Sequence, residues 1–289
     1  AAILNNVDVV NATITGVKSS GMLVGHLSGS LTATDCNLSG TVTLADFAEE
    51  SNGHYAGKYI GTLAGSATMT KCSANVTVSG NLNAANIGEV YGRKTAAGSS
   101  NVESAKTQDE LVAAINAGAK AVILAEGDYA LRFTNNTNFN LNDMTIKGLG
   151  DVNLAISSSE AWYGRVQGSN VTFENIHFTS SVGATGKATY NNCTFDDWTI
   201  CASSNNEETT FNNCTINGCL NTSTDFSSGD VFVNNCEIAK AEYSGSMTMN
   251  FVDCQIDEII IWNANTNLTN CQVTKLDNSN VTNATVTIK

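Results

Sequence analysis

The chain has 289 residues, 42% of them hydrophobic and 14% charged, with a formal net charge of −13 and a pI near 4.5. So acidic a chain disfavours nucleic acid and other polyanions, uronic acid polymers included, as partners. Its nine cysteines are an odd number, which excludes complete disulfide pairing, and it has no proline, as strands that need every backbone donor require.

In chain order the first signal is a short phrase, Leu4-Asn-Asn6-Val7-Asp-Val9, whose form returns later. A Gly-rich repeat follows. Gly21-Met-Leu-Val-Gly25-His-Leu27-Ser-Gly29-Ser-Leu-Thr32-Ala-Thr34-Asp-Cys36 returns 36 residues on, as Gly57-Lys-Tyr-Ile-Gly61-Thr-Leu63-Ala-Gly65-Ser-Ala-Thr68-Met-Thr70-Lys-Cys72. Asn86-Ile-Gly88-Glu-Val-Tyr-Gly92 reads as a third start. Repetition of one unit means stacked coils, and the glycines suit corners and close approach of neighbouring backbones. Asp35-Cys36 keeps the Asn/Asp position of the first phrase, whereas Lys71-Cys72 loses it. Residues 21–92 resemble the GLUG repeat of bacterial surface proteins. The resemblance implies secretion or surface display in adhesion-like settings, and it brings no catalytic residues.

Arg93 to Lys106 is polar and without apolar periodicity, which reads as a linker between segments 1–100 and 101–289. A helix is predicted at about 107–117. Thr107-Gln-Asp-Glu110 is a capping box, Leu111, Ala114 and Ile115 share a face, and Gly118 ends it. Ala121–Ala125 is a buried strand turning at Glu126-Gly127-Asp128. A short amphipathic helix here makes a lid for the open end of a solenoid.

From there the phrase recurs as Leu141-Asn-Asp143-Met144-Thr-Ile146, Phe173-Glu-Asn175-Ile176-His-Phe178, Tyr190-Asn-Asn192-Cys193-Thr-Phe195 and Phe211-Asn-Asn213-Cys214-Thr-Ile216. It continues as Val233-Asn-Asn235-Cys236-Glu-Ile238, Phe251-Val-Asp253-Cys254-Gln-Ile256, Leu268-Thr-Asn270-Cys271-Gln-Val273 and Val281-Thr-Asn283-Ala284-Thr-Val286. The residues after the Asn/Asp lie 32, 17, 21, 22, 18, 17 and 13 positions apart. Alternation there is the two-residue period of a strand with one buried face. A coil of roughly 20 residues holds about three short strands and no helix. The amide suits a left-handed corner, and stacked copies about 4.8 Å apart can bond to one another. The five cysteines beside it read as small core residues, since in-register strands aim them alike rather than at each other.

The helix-strand opening followed by Asn corners, over about residues 103–289, resembles the pectin-lyase-like right-handed parallel β-helix superfamily. The predicted fold is therefore all-β: a right-handed parallel β-helix with a capping helix, preceded by a Gly-rich β-repeat segment. Handedness comes from the resemblance and the rule for parallel crossovers. The superfamily includes lyases, hydrolases, esterases, phage spikes and non-enzymatic adhesins, so it implies no single activity.

In enzymes of that superfamily, acidic residues gather on the flank after the corner for calcium or acid-base work. Here the flank offers Asp196, Asp197, Glu242, Asp257 and Glu258 as candidate catalytic residues, with outward positions at Thr199, Leu220, Glu242, Ile260 and Asp277. The two carboxylate pairs fall three coils apart, about 14 Å, beyond the ~5–10 Å of glycosidase pairs. Glu242 near Asp257 and Glu258 offers a Ca2+ site. Lys240, Glu258 and Lys275 stacked with alternating sign make a solvated charge ladder instead. The hydrolase set of paired aspartates with Gly-His-Gly and Arg-Ile-Lys is missing, and no arginine sits in an Asp-rich coil as in pectate lyases. His26, His54 and His177 are isolated, and no nucleophile triad, zinc spacing or phosphate loop appears.

The remaining candidate is a loop, Glu160-Ala-Trp162-Tyr163-Gly-Arg165, whose aromatics and planar cation suit sugar faces and hydroxyls; Trp198 adds to that platform. The plainer alternative folds these aromatics back onto the solenoid side. The leading expectation is a secreted or cell-surface bacterial protein that binds a glycan or host ligand without catalysis, with no cofactor and no membrane span. The alternative is a polysaccharide lyase or glycoside hydrolase. A third reading, an ice-binding face of Thr32-Ala-Thr34 over Thr68-Met-Thr70, is only two coils deep. The chain opens without a signal peptide, as a mature or trimmed chain would.

Overall fold

The computed structural model describes residues 1–45, 54–80, 86–134, 139–159, 164–184, 186–200, 208–221, 229–245, 247–262, 264–279, 281 and 285–289. The chain divides into two compact units, Ala1–Ser104 and Ala105–Lys289. Every strand pairing given for either unit is parallel, which makes each a β-solenoid.

In the first unit a coil has four strands. Ala2–Asn5, Asp8–Gly16, Ser19–Gly21 and Val24–Leu27 each begin a sheet that later coils extend. The Gly-rich repeat is in register: Gly21 lies on Gly57 and Gly57 on Gly88, while Val24 lies on Ile60 and Ile60 on Tyr91. The third start is therefore a genuine copy. A Cβ built on Gly57 would sit 2.2 Å from the Ile60 carbonyl oxygen and 2.6 Å from Tyr91 Cα, so only glycine fits. The predicted linker differs from expectation. Tyr91–Lys94 and Ser99–Ser100 are strands on Ile60–Leu63 and Ser66–Thr70. Backbone pairing on a preformed edge needs no apolar period, and the buried Glu103 is neutralised by Lys94 at 2.8 Å.

The second unit has two long sheets, one of ten strands and one of eleven, of which eight lie on its main path. The described residues of one coil carry three short strands, Ala188–Asn191, Thr194–Phe195 and Thr199–Ile200; in later coils the second and third merge, as in Gln255–Trp262. Between the sheets the first apolar residues of six copies stack in one row: Phe173, Tyr190, Phe211, Val233, Phe251 and Leu268. The last apolar residues form a second row, from Phe178 through Phe195, Ile216, Ile238 and Ile256 to Val273. Phe173, Tyr190 and Phe211 lie face to face at 5.5 and 5.0 Å, and meet the Phe178 and Phe195 rings edge-on. That offset and T-shaped packing adds to simple burial.

The corners are as the phrase predicts. Twelve described non-glycine residues have positive φ, all between 50° and 59°; eleven are Asn or Asp and the twelfth is Lys71. Amides bond along the stack: Asn235 Nδ2 donates to Asn213 Oδ1 at 2.8 Å, and Asn212 and Asn234 each donate one coil back at 2.9 Å. Cys193, Cys214, Cys236 and Cys254 are buried and free beside them, and each thiol donates to a backbone carbonyl. Contact with the neighbouring thiol, together with burial, pushes Cys214 and Cys236 up to about 12, so neither is a thiolate nucleophile.

Two copies of the phrase are out of phase with the rest. Ile146 lies on Phe173 rather than Phe178, and Asp143 meets Asn170, whose Nδ2 donates to it at 3.1 Å. The 141–146 copy therefore turns the corner that enters the ten-stranded sheet, whereas the other copies turn the corner that leaves it. At the far end Val286 lies on Thr266 and Ile288 on Leu268, which shifts the last copy the same way; its Asn283 and Ala284 lie outside the described residues. Met144 is consequently not part of the cysteine column.

The helix is Gln108–Asn116, capped by Thr107, which accepts from the Glu110 amide, while Glu110 reaches back to the Lys106 amide. Leu111, Ala114 and Ile115 join the core of the second unit, and Gly118 at φ 76° turns the chain out. Gln108 does something the sequence did not announce. Its side-chain amide accepts from the Ala130 N–H at 2.7 Å and donates to the Ala130 carbonyl at 2.6 Å. It thus substitutes for a neighbouring strand along Gly127–Phe133.

Candidate functional site

The second sheet of the second unit gathers several of the residues singled out above on one face. Along it Thr199, Leu220, Ala241 and Ile259 are in register and fully buried. Thr199 and Leu220 therefore face the core, contrary to the outward positions expected of them. The slip arises at the irregularity between Ile216 and Cys219, which moves later residues by one place. Thr199 Oγ1 is left buried with no hydrogen-bond partner.

The row that does face away from the core runs Arg165, Gly183, Ile200, Asn221, Glu242, Ile260 and Asp277. The next outward row holds Lys240, Glu258 and Lys275, with Trp198 just ahead of Thr199 on an earlier coil and 40% exposed. Arg165, Trp198, Glu242 and Glu258 thus share one sheet face. Ile200 and Asn221 are buried although they point outward, while Glu242 and Ile260, one and two coils on, are half-buried. Trp162 and Tyr163 lie outside the described residues.

Two carboxylates on this flank are engaged. Lys240 bonds Glu242 at 2.7 Å, and Glu258 is bonded to Lys275, which holds its carboxyl below the usual range. The alternating ladder of Lys240, Glu258 and Lys275 is in register. Asp257 is exposed. Among the described residues no group of three His, Cys, Asp or Glu side chains is placed to hold a metal ion.

At the corner leading onto this face, Asp196 Oδ2 meets His177 Nε2 at 2.8 Å and Asp197 Oδ2 accepts from Ser181 Oγ at 2.7 Å. Asp196 Oδ1 also accepts from Asn217, and the Trp198 carbonyl accepts from the Val182 amide. The hydrogen bond from His177 is the foremost reason the Asp196 carboxyl lies below its ordinary value. His177 was read as isolated; its polar position directly after a corner was the only sign of a neighbour on the next coil.

No protein-family model, curated protein or solved structure matches the chain. The fold defines the class: an all-β parallel solenoid in two units, with one short helix among the described residues.

Proposed function

We propose that this chain is a secreted or cell-surface protein that binds carbohydrate, as an adhesion module and without catalysis, through the outer face of the second sheet. The observation that supports it is the alignment of Arg165, Trp198 and Glu242 on that one face. A half-exposed indole, a planar cation and hydrogen-bonding side chains are the groups that grip sugar rings. The Gly-rich first unit, similar to GLUG repeats, and the likeness of the second to pectin-lyase-like β-helices agree with display outside the cell. Asp196, Asp197, Glu242 and Glu258 each already have a partner, which favours binding over acid-base chemistry.

A neutral-glycan array tests the proposal. Binding is expected, weakened at least tenfold by Trp198→Ala and by Arg165→Ala, with no reducing-end or unsaturated product from any polysaccharide offered. An array without binding, or binding indifferent to both substitutions, would remove this assignment.

A further inference from the structure

His177 stands between two oxygens on different coils. Its Nδ1 lies 2.8 Å from Asn153 Oδ1 and its Nε2 lies 2.8 Å from Asp196 Oδ2. The Asn153 amide is oriented from the coil before, since its Nδ2 donates to Asp128 Oδ1 at 2.8 Å. That leaves only its oxygen for the imidazole. A neutral imidazole has one N–H and one lone pair, whereas imidazolium has two N–H groups. Only the doubly protonated ring satisfies both oxygens; the neutral ring must set a lone pair against one of them.

We propose that His177 is a proton-operated latch, which ties the strand Val152–Ser158 to the Asp196-Asp197-Trp198 corner when doubly protonated and drops one tie when it loses a proton. The ladder it closes runs over successive coils through Asp128, Asn153, His177, Asp196 and Asn217. The charged groups facing the ring are Asp196 directly and Asp128 through Asn153. Its register neighbour Thr194 is neutral, and the adjacent Asp197 is held by Ser181. At the acid end the Asp196 carboxyl is depressed, so its charge persists to lower pH than in a free aspartate and the tie is lost only as pH falls through that depressed value. Loss of the second imidazole proton leaves one N–H between two oxygens, so one tie goes. The latch is closed on imidazolium and slack on neutral imidazole. It stands whether or not the outer face binds glycan.

Thermal melting of the whole chain at pH 5.5 and pH 8 decides it, with His177→Gln as the variant because glutamine has a donor and an acceptor but does not titrate. The variant is expected to melt about 2 °C below the parent at pH 5.5, a shift suited to a half-exposed pair in a domain this size, and level with it at pH 8. Asp196→Asn, which removes the charged acceptor, is expected to give the same pattern. Equal gaps at both pH values, or no gap at pH 5.5, would overturn the latch.

Discussion

Asparagine and aspartate occupy these corners because an ordinary side chain in the left-handed region crowds its own carbonyl, at about 1–2 kcal/mol, while a short amide tolerates it. Lys71 adopts φ 52° without that advantage, because the strands before and after it are fixed by pairing with the coil at Asp35. Lys71→Asn should therefore stabilise the first unit by about 1 kcal/mol. The check is amide exchange of the buried Ala33 and Met69 strands, which should slow; unchanged exchange would mean that the lysine stem contributes packing of equal worth. The corner type was legible in the sequence because chemistry and backbone agree there. At Lys71 the geometry persisted after the residue that signals it had gone. His177 was illegible for a different reason, since its partners lie 24 and 19 residues away and no local pattern links them.

Phase is the property of an element that the phrase could not reveal. An Asn corner can either enter or leave the ten-stranded sheet, and both kinds are followed by an apolar alternation. The spacings of 32 at the start and 13 at the end, outside the 17 to 22 of the others, were the traces of copies turning the other corner. Likewise the irregularity after Ile216 moved Glu242, Ile260 and Asp277 one place relative to Thr199 and Leu220, a slip that reverses which face a side chain serves. The helix was legible from its caps and apolar face, but the clip from Gln108 to Ala130 was not. Gln108→Ala removes two hydrogen bonds and should cost about 1–2 kcal/mol. Hydrogen exchange localises it: the Ala130 amide should lose protection while the amides of Ala113 to Ala117 keep theirs. Loss of protection throughout the helix would show that the side chain holds the helix rather than the strand.

Across the whole molecule, stacking and parallel pairing were readable in both units, because repetition forces them. Coil size was not. Four strands per coil in the first unit arise from corners that glycine makes tight enough for backbones to touch, a spacing no apolar period encodes. The candidate face was only half readable, since register decides which residues share it.

The thiol column bears on where such a molecule can endure. All eight described cysteines are free, and rigidity comes from lateral bonding between coils rather than from covalent staples. Among the described cysteines there is then no cross-link for glutathione to break. Melting curves with and without strong reductant should superimpose, and a displaced curve would betray a hidden cross-link. A scaffold so made keeps one strength in a reducing interior and an oxidising exterior alike.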